Sequence, residues 1–464
     1  MTLLTKTGPR HIAVIDIGKT NAKLALVDLP TLTEIAVVTR PNIVQTAPPY
    51  PHYDVEGHWA FLLDALAQFH RDHRVDAISI TTHGACAALL DATGALATPI
   101  LDYEQNYPDD IIDAYDALKP DFAQTGSPKL AGGLNIGAQL HWLLAGDPSL
   151  KDRTAQIVTY PQYWGHRLTG VTATDVTSIG CHTDLWNPYE GRFSDLTDKL
   201  GIRDKIAPVR RPGDILGTVL PEIAKATGLT PATPVCVGIH DSNASLYPYV
   251  TSQNGPVSVV STGTWVIAMS LNGGNAVTLD PSRDTLVNVN AHDQAVASAR
   301  FMGGREFELI QQGQPVDPTE RDVSAVLEDC RMLLPSVERC SGPFQGRQMQ
   351  WHGGEPKVGT GQRSAALSFY LALMTGTCLR LVKGAGPTIV EGPFARNSAY
   401  LAMLNAVTAR PVLTNAAVTG TSIGAAMLLA DEAFSLGLDT VETKLPLNRL
   451  RAYADQWCGL ADAD

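Results

Sequence analysis

Three short clusters in the sequence carry groups that could act on phosphate. The first is Asp16, Gly18, Lys19, Thr20 and Asn21, in IDIGKTN. An acidic side chain at a strand end can hold a divalent metal, and glycine beside hydroxyl and amide residues can turn backbone N–H groups toward phosphate oxygens. A plain tight turn uses the same residue types, so this cluster alone leaves both readings open, and the chain has no GxxxxGK[ST] loop. The second cluster is Ser261, Thr262, Gly263, Thr264 and Trp265, whose donors could cradle the other side of a triphosphate or simply close a hairpin. The third is His240, Asp241, Ser242 and Asn243, directly after the apolar run TPVCVGI. In open α/β sheets ligands collect at the carboxyl ends of strands. An Asp there can take the proton of an attacking hydroxyl, as phosphoryl transfer requires. Asp–Ser–Asn is also a helix cap, and on that segment alone capping is the stronger reading.

The elements that must position these clusters are legible around them. Residues 11–29 read as strand, turn and strand, and residues 257–271 repeat the plan roughly half a chain later. A duplicated strand–turn–strand, one per half, predicts two similar domains facing each other across a cleft; the competing reading is that hairpins are common. DAISITT (76–82) and TPVCVGI (233–239) fit buried strands, whereas residues 59–73 and 137–146 carry helical spacing. This alternation predicts an α/β protein. Residues 364–384 and 421–434 read as long buried helices, and Pro248, Asn254, Gly255 and Pro256 mark the expected crossing between domains 1–250 and 251–464.

Bulk properties narrow the partners. A chain of 464 residues exceeds one ordinary core. With 47 acidic against 35 basic residues, the net charge of −12 repels phosphate backbones and anionic lipid, so nucleic acid and membrane are not expected partners. The 7 cysteines are scattered without a CxxC pair, which fits reduced thiols in a cytoplasmic setting. The N-terminus shows no signal-peptide pattern, and no uninterrupted apolar run reaches the about 18 residues a bilayer requires. His83 and His141 lack a second ligand at metal spacing and read as packed or pocket-lining residues. Trp142, Trp164 and Trp186 could stack on a sugar face but more commonly serve as core.

Taken in order, IDIGKTN, GIHDSNAS, STGTW, IVEGPFARN and TGTSIGAA resemble the FGGY carbohydrate kinases of the actin/hexokinase/Hsp70-like superfamily, over roughly residues 11–434. HDS followed by the GTW turn, with YPQYWGHRLTG (160–170) and FMGG (301–304), looks nearest to the rhamnulokinase-like branch. The resemblance implies two actin-like, ribonuclease H-like domains, with sugar mainly on the first and ATP mainly on the second. It implies that Asp16 helps hold Mg²⁺ and that Lys19, Thr20 and Asn21 line the phosphates. Asp241 would be the general base, flanked by His240 and Ser242 near the sugar. Thr262, Gly263 and Thr264 would meet ATP phosphate, Gly392 the adenosine with Asn397 close by, and Gly84 the sugar. The pocket departs from that branch at Cys86, where an acidic residue is expected, at His83, where tryptophan is common, and at Arg300, where an amide is expected near the substrate. EGPFARN replaces a run of glycines. The catalytic groups are therefore expected intact and the sugar pocket altered.

The resulting expectation is ATP-dependent phosphorylation of a ketose of five or six carbons, 6-deoxy sugars included, with a polyol next. His83, Gly84, His240, Ser242 and Arg300 are the expected substrate contacts. The expected partners are the small sugar and ATP, with a homodimer left open beside the monomer. Two rivals are a non-catalytic ATP-binding regulator, which has no need of Asp241, and a chaperone-like ATPase, which needs a peptide-binding extension.

Overall fold

The computed structural model describes residues 8–273, 278–415, 420–430, 434 and 436–462. The protein is an α/β chain of two compact units: Met1–Ser252 with Val287–Ala295 and Thr419–Phe434, and Gln253–Leu286 with Val296–Val418 and Ser435–Asp464. Each is built on a seven-stranded sheet.

In the first unit the strand His11–Ile17 pairs antiparallel with Asn21–Asp28, which pairs antiparallel with Thr33–Pro41. On its other side His11–Ile17 pairs parallel with Ala77–Thr82. Nearly every residue of the two inner strands is buried, and such continuous β-branched and alanine-rich runs suit strands covered on both faces. The helix Val55–His73 covers one face with Leu62, Leu66 and Phe69. It begins a turn before the apolar periodicity does, because Asp54 accepts from Gly57 N at 3.0 Å and caps it.

The second unit repeats the plan. Val257–Thr262 pairs antiparallel with Val266–Leu271 and parallel with Thr388–Glu391, and Ala295–Phe301 lies antiparallel beyond Val266–Leu271. Its core helix Gly361–Leu381 is apolar and long enough to cross a bilayer by composition, but 89% of its most apolar window is buried in the protein. Helices Ser398–Thr408 and Leu447–Asp462 pack with it.

Three expectations change. TPVCVGI is two short strands, Pro234–Cys236 and Ile239–His240. Gly238 separates them at φ 94, where a Cβ would stand 2.8 Å from Ile80 O. The helix expected over residues 421–434 ends at Met427, continuing only as tighter turns through Leu428, Leu429 and Ala430, and residues 431–433 lie outside the described set. Pro248 does not mark the crossing: it sits inside the helix Asp241–Ser252, and the units divide between Ser252 and Gln253.

The second half of the sequence also does not stay in one unit. The helix Thr421–Met427 packs into the first, where a Cβ on Gly424 would stand 1.7 Å from Ala244 O. Ser79 Oγ donates to Ala425 O at 2.7 Å.

Candidate functional site

The first turn is held by its own backbone and from behind. Gly18 N donates to Asn21 O at 2.9 Å. Asn42 clasps the turn by donating its N to Thr20 O at 2.9 Å and its Nδ2 to Gly18 O at 2.7 Å. Behind Asn42, His58 Nε2 meets Asn42 Oδ1 at 2.8 Å and His58 Nδ1 meets Arg40 Nη1 at 2.7 Å. Arginine can only donate, so Nδ1 accepts and Nε2 carries the proton. Burial, aided by the Arg40 charge, holds this imidazole neutral and lowers its pKa to about 4. The side chains of Thr20 and Asn21 are thereby left exposed at the tip.

Asp16 lies one strand position from the turn and is 14% exposed. Its Oδ2 accepts from Thr421 Oγ1 at 2.7 Å and faces Lys23 Nζ at 3.3 Å. Burial raises its pKa, against the pull of Lys23 and Thr421. Lys23 and Thr421 are neighbours of Asp16 that sequence reasoning missed. The signal for Lys23 was available, since residues 16 and 23 pair across the hairpin. Thr81, opposite Asp16 in the parallel register, and Ser422 both carry buried hydroxyl oxygens without partners among the described residues. One carboxylate with spare neutral oxygens suits a hard cation that keeps most of its waters, so the residues present fit Mg²⁺.

Asp241 begins a helix directly from the strand end at His240, and its side chain is 31% exposed. Among the described residues its hydrogen-bonding contacts fall on Oδ1: His240 Nε2 at 3.1 Å, Ser242 N at 2.6 Å and Ser242 Oγ at 3.3 Å. Oδ2 has no hydrogen-bond partner among the described residues. Burial opposes its ionisation, but His240 holds the carboxyl below the usual range, with help from His83 and Ser242 N. His240 is fixed in turn. Its N donates to Thr177 Oγ1 at 3.0 Å, and Thr177 donates to the buried Asp175. Its ring lies so close to Gly84 that a Cβ there would be 2.6 Å from Cδ2. Gly84 thus seats His240, and the structure shows this reason for its glycine. Cys181, also missed from the sequence, adjoins the same imidazole. Burial resists its ionisation, yet His182 and His240 pull the thiol down to about 5.

His83 is 8% exposed and lies against the rings of Tyr53, Tyr103 and Tyr160, with centroids 5.5, 5.2 and 5.0 Å away. Burial depresses its pKa to about 4, and neither ring nitrogen has a partner among the described residues. Lys19 does not point back over its own turn. Its ammonium is bound to Asp102 and stands 3.0 Å from Glu104 Oε2. Of the three tryptophans, Trp164 and Trp186 are core, and Trp142 stacks on Tyr107.

In the second unit the Gly263–Thr264 tip is exposed while Thr262 is buried. The Thr262 hydroxyl donates to Glu391 O and accepts from Phe394 N at 3.1 Å, so it fastens the turn to the neighbouring strand end. Gly392 sits there at φ 82, where a Cβ would be 2.0 Å from Thr262 O. Asn397 caps the helix Ser398–Thr408, with Oδ1 accepting from Tyr400 N at 3.0 Å and Nδ2 donating to Ser368 Oγ at 2.9 Å. Arg300, expected at the substrate, pairs with Asp284 and Trp265. Its Nε donates to Asp284 Oδ1 at 2.9 Å, and its guanidinium lies 4.5 Å from the Trp265 ring centre. The ion pair follows from burial: Asp284 is 8% exposed and needs a cation.

Comparison with known proteins accords with this geometry. The description "FGGY family of carbohydrate kinases, N-terminal domain" matches residues 11–247, and "Carbohydrate kinase FGGY, C-terminal domain" matches residues 254–436. The L-fuculokinase of Salmonella typhi is 27% identical over 276 residues, 56% of this chain and 57% of its own length. The L-fuculokinase of Escherichia coli (strain K12) is 27% identical over 271 residues, 56% of each chain. The chain therefore spans about half the length of the curated relatives it matches. A carbohydrate kinase from Novosphingobium aromaticivorans is similar throughout, with 36% identity, a TM-score of 0.90, and coverage of 98% of this chain and 99% of that one. The Plasmodium falciparum glycerol kinase with ADP, at 14% identity, TM-score 0.80 and 99% coverage of both chains, shares the fold.

Proposed function

The chain belongs to the FGGY family of carbohydrate kinases, and from that premise we propose that it transfers the γ-phosphoryl group of ATP to a hydroxyl of a small ketose, with Asp241 as general base. The observation that carries this reading is the state of Asp241. It is a partly exposed carboxylate at a strand end, ionised at neutral pH, with Oδ1 pinned by His240 and Ser242 and Oδ2 unoccupied by any hydrogen bond among the described residues.

In the proposed reaction the acceptor oxygen forms a bond to the γ-phosphorus, the bond to the β,γ-bridging oxygen breaks, and ADP leaves. The acceptor proton passes to Oδ2 of Asp241. A base held at low pKa suits phosphoryl transfer, where little proton movement is needed before the new bond is largely made. His240 keeps the carboxylate from rotating and Gly84 keeps His240 in place. Thr20 and Asn21 are assigned to the phosphates from residues 1–250. Gly263 and Thr264 are assigned to them from residues 251–464, on a turn that Thr262, Gly392 and Arg300 hold in shape. Gly392 and Asn397 border the adenosine by this reading. Asp16 would hold Mg²⁺ directly or through water. When bound, that ion neutralises triphosphate charge.

The test is a coupled ATP-consumption assay over pentuloses, hexuloses including 6-deoxy forms, and polyols, with product identification by NMR. Sugar-dependent ADP release with a ketose preferred supports the reading. A polyol preferred over every ketose would move the acceptor assignment, and no sugar-dependent turnover would refute kinase activity. Thr264→Val should weaken Mg·ATP binding in calorimetry while leaving acceptor affinity of the free enzyme nearly unchanged.

A further inference from the structure

The sequence places Lys19 with the phosphates, but the structure surrounds it with different chemistry. Its ammonium is bound to Asp102 and lies 3.0 Å from Glu104 Oε2. It also stands 4.7 Å from the centre of the Tyr103 ring and 5.7 Å from that of Tyr53. Asp102 is 6% exposed, and its Oδ1 accepts from Tyr53 OH at 3.0 Å as well as from Lys19. An ammonium shared by two carboxylates has no net charge to offer a triphosphate. Swinging it away would leave Asp102 buried without its counter-ion, an arrangement proteins avoid.

A second observation shows what this pair is built around. Tyr103, next to Asp102, packs edge-on against His83. Gly133 N donates to Tyr103 O at 2.7 Å and fixes the loop from the other side. His83 is buried, and both its ring nitrogens lack partners among the described residues. A neutral imidazole offers one donor and one acceptor. Leaving both unpaired in a buried place is unfavourable, and a ligand with adjacent hydroxyls would satisfy both.

Resting on the kinase reading above, we propose that Lys19 belongs to the acceptor site and not to the nucleotide site. With Asp102 and Tyr103 it forms the wall that fits an uncharged, polyhydroxylated acceptor around His83 and rejects an acceptor bearing a carboxylate. The charge inventory supports the second half. Lys19 and His240 are the cations, each already engaged, against three anions, Asp102, Glu104 and Asp241. His83 stays neutral because burial depresses its pKa. A carboxylate entering here meets net negative charge and finds no free cation among these described residues, so rejection comes from repulsion as well as from missing contacts.

The experiment uses the full chain and two variants, Lys19→Met and Glu104→Lys, each checked by thermal melt. The probes are Mg·ATP, D-xylulose, D-ribulose, L-fuculose, glycerol and D-gluconate. Lys19→Met is expected to raise KM for the best neutral acceptor by about tenfold or more and to leave KM for ATP within about twofold. Wild-type efficiency with D-gluconate is expected about 100-fold or more below that of the best neutral acceptor. Glu104 is exposed, so Glu104→Lys should fold, and it is expected to tighten competitive inhibition by D-gluconate by about tenfold. A rise in the ATP KM of Lys19→Met with an unchanged acceptor KM would overturn the proposal. So would D-gluconate as the best acceptor, or an unchanged gluconate inhibition constant in Glu104→Lys.

Calorimetry of Mg·ATP on wild type and Lys19→Met, with no acceptor present, separates this inference from the function it rests on. If no sugar is phosphorylated, the kinase reading falls. An ATP affinity weakened by about tenfold would then still overturn the placement of Lys19, and an unchanged affinity would uphold its exclusion from the nucleotide site.

Discussion

Nε2 of His240 stands 3.1 Å from Oδ1 of Asp241, on a ring whose Cδ2 would lie only 2.6 Å from a Cβ at position 84. A strand end, a glycine and a helix start thus meet around Oδ1, and Oδ2 has no hydrogen-bond partner among the described residues. Asp241→Asn keeps the shape and caps the helix about as well but removes the basic oxygen. Turnover should fall by about 10²–10⁴, with the melting temperature near wild type and both substrates still bound. Near-normal turnover in a folded variant would remove Asp241 from the role of base.

Gly84→Ala tests the seat beneath His240. The added methyl must displace the ring, and with it Oδ1, so kcat should drop by about 10–100-fold from misplacement alone. In a His240→Ala background the three nearest atoms that the methyl meets are gone, and it should cost little further. The non-additivity of the double mutant is the readout; simple additivity would mean that Gly84 acts elsewhere.

Arg300→Ala separates an internal strut from a substrate contact. Removing the cation strands Asp284, which should lower stability by about 3 kcal/mol. It also loosens Trp265 beside the Gly263–Thr264 tip. KM for ATP should rise while KM for the acceptor stays near wild type, and Arg300→Gln with Asp284→Asn should recover much of the stability. An acceptor KM that rises alone would restore the substrate role expected from the sequence.

His58 sets a pH dependence of stability. Its pKa is about 4 in the folded protein against about 6.5 for a free imidazole. The unfolded chain therefore binds a proton between these values when the folded chain does not. The contribution of the neutral ring is complete above about pH 6.5, is lost progressively as pH falls toward about 4, and changes no further below that. Melting temperatures measured from pH 7.5 to 4.5 should fall more steeply for wild type than for His58→Gln. Parallel slopes would show that the Arg40–His58–Asn42 chain does not depend on a neutral imidazole.

Both hairpins, the buried parallel strands and the strand-end position of Asp241 were legible in the sequence because each is a contiguous run whose apolar pattern carries its own meaning. The fates of Lys19 and Arg300 were not. Lys19 reads as a phosphate ligand in a glycine turn, and nothing near it in the sequence shows that Asp102, 83 positions away, is its partner. Arg300 reads as a pocket residue, and its pairing with Asp284, on another segment, leaves no sign in the sequence. Which buried carboxylate faces which cation is decided by strand order and loop path, and neither leaves a local periodicity. The break at Gly238 was hidden for a related reason. VCVGI reads as one strand, and only the closeness of Ile80 forces the turn of backbone that divides it.

The helix Thr421–Met427 has a consequence for how the protein is made. It covers Ile12, Val14, Val27 and Ala77 of the first sheet together with Ala244, and its Ala425 carbonyl receives a hydroxyl from Ser79 across 346 positions. During synthesis these sheet residues leave the ribosome well before their cover, which follows hundreds of positions later. Until residues 421–427 emerge, one face of the first sheet stays open to other nascent chains and to chaperones. A message truncated after residue 415 would thus yield a sticky product for proteolytic disposal, not a working first half.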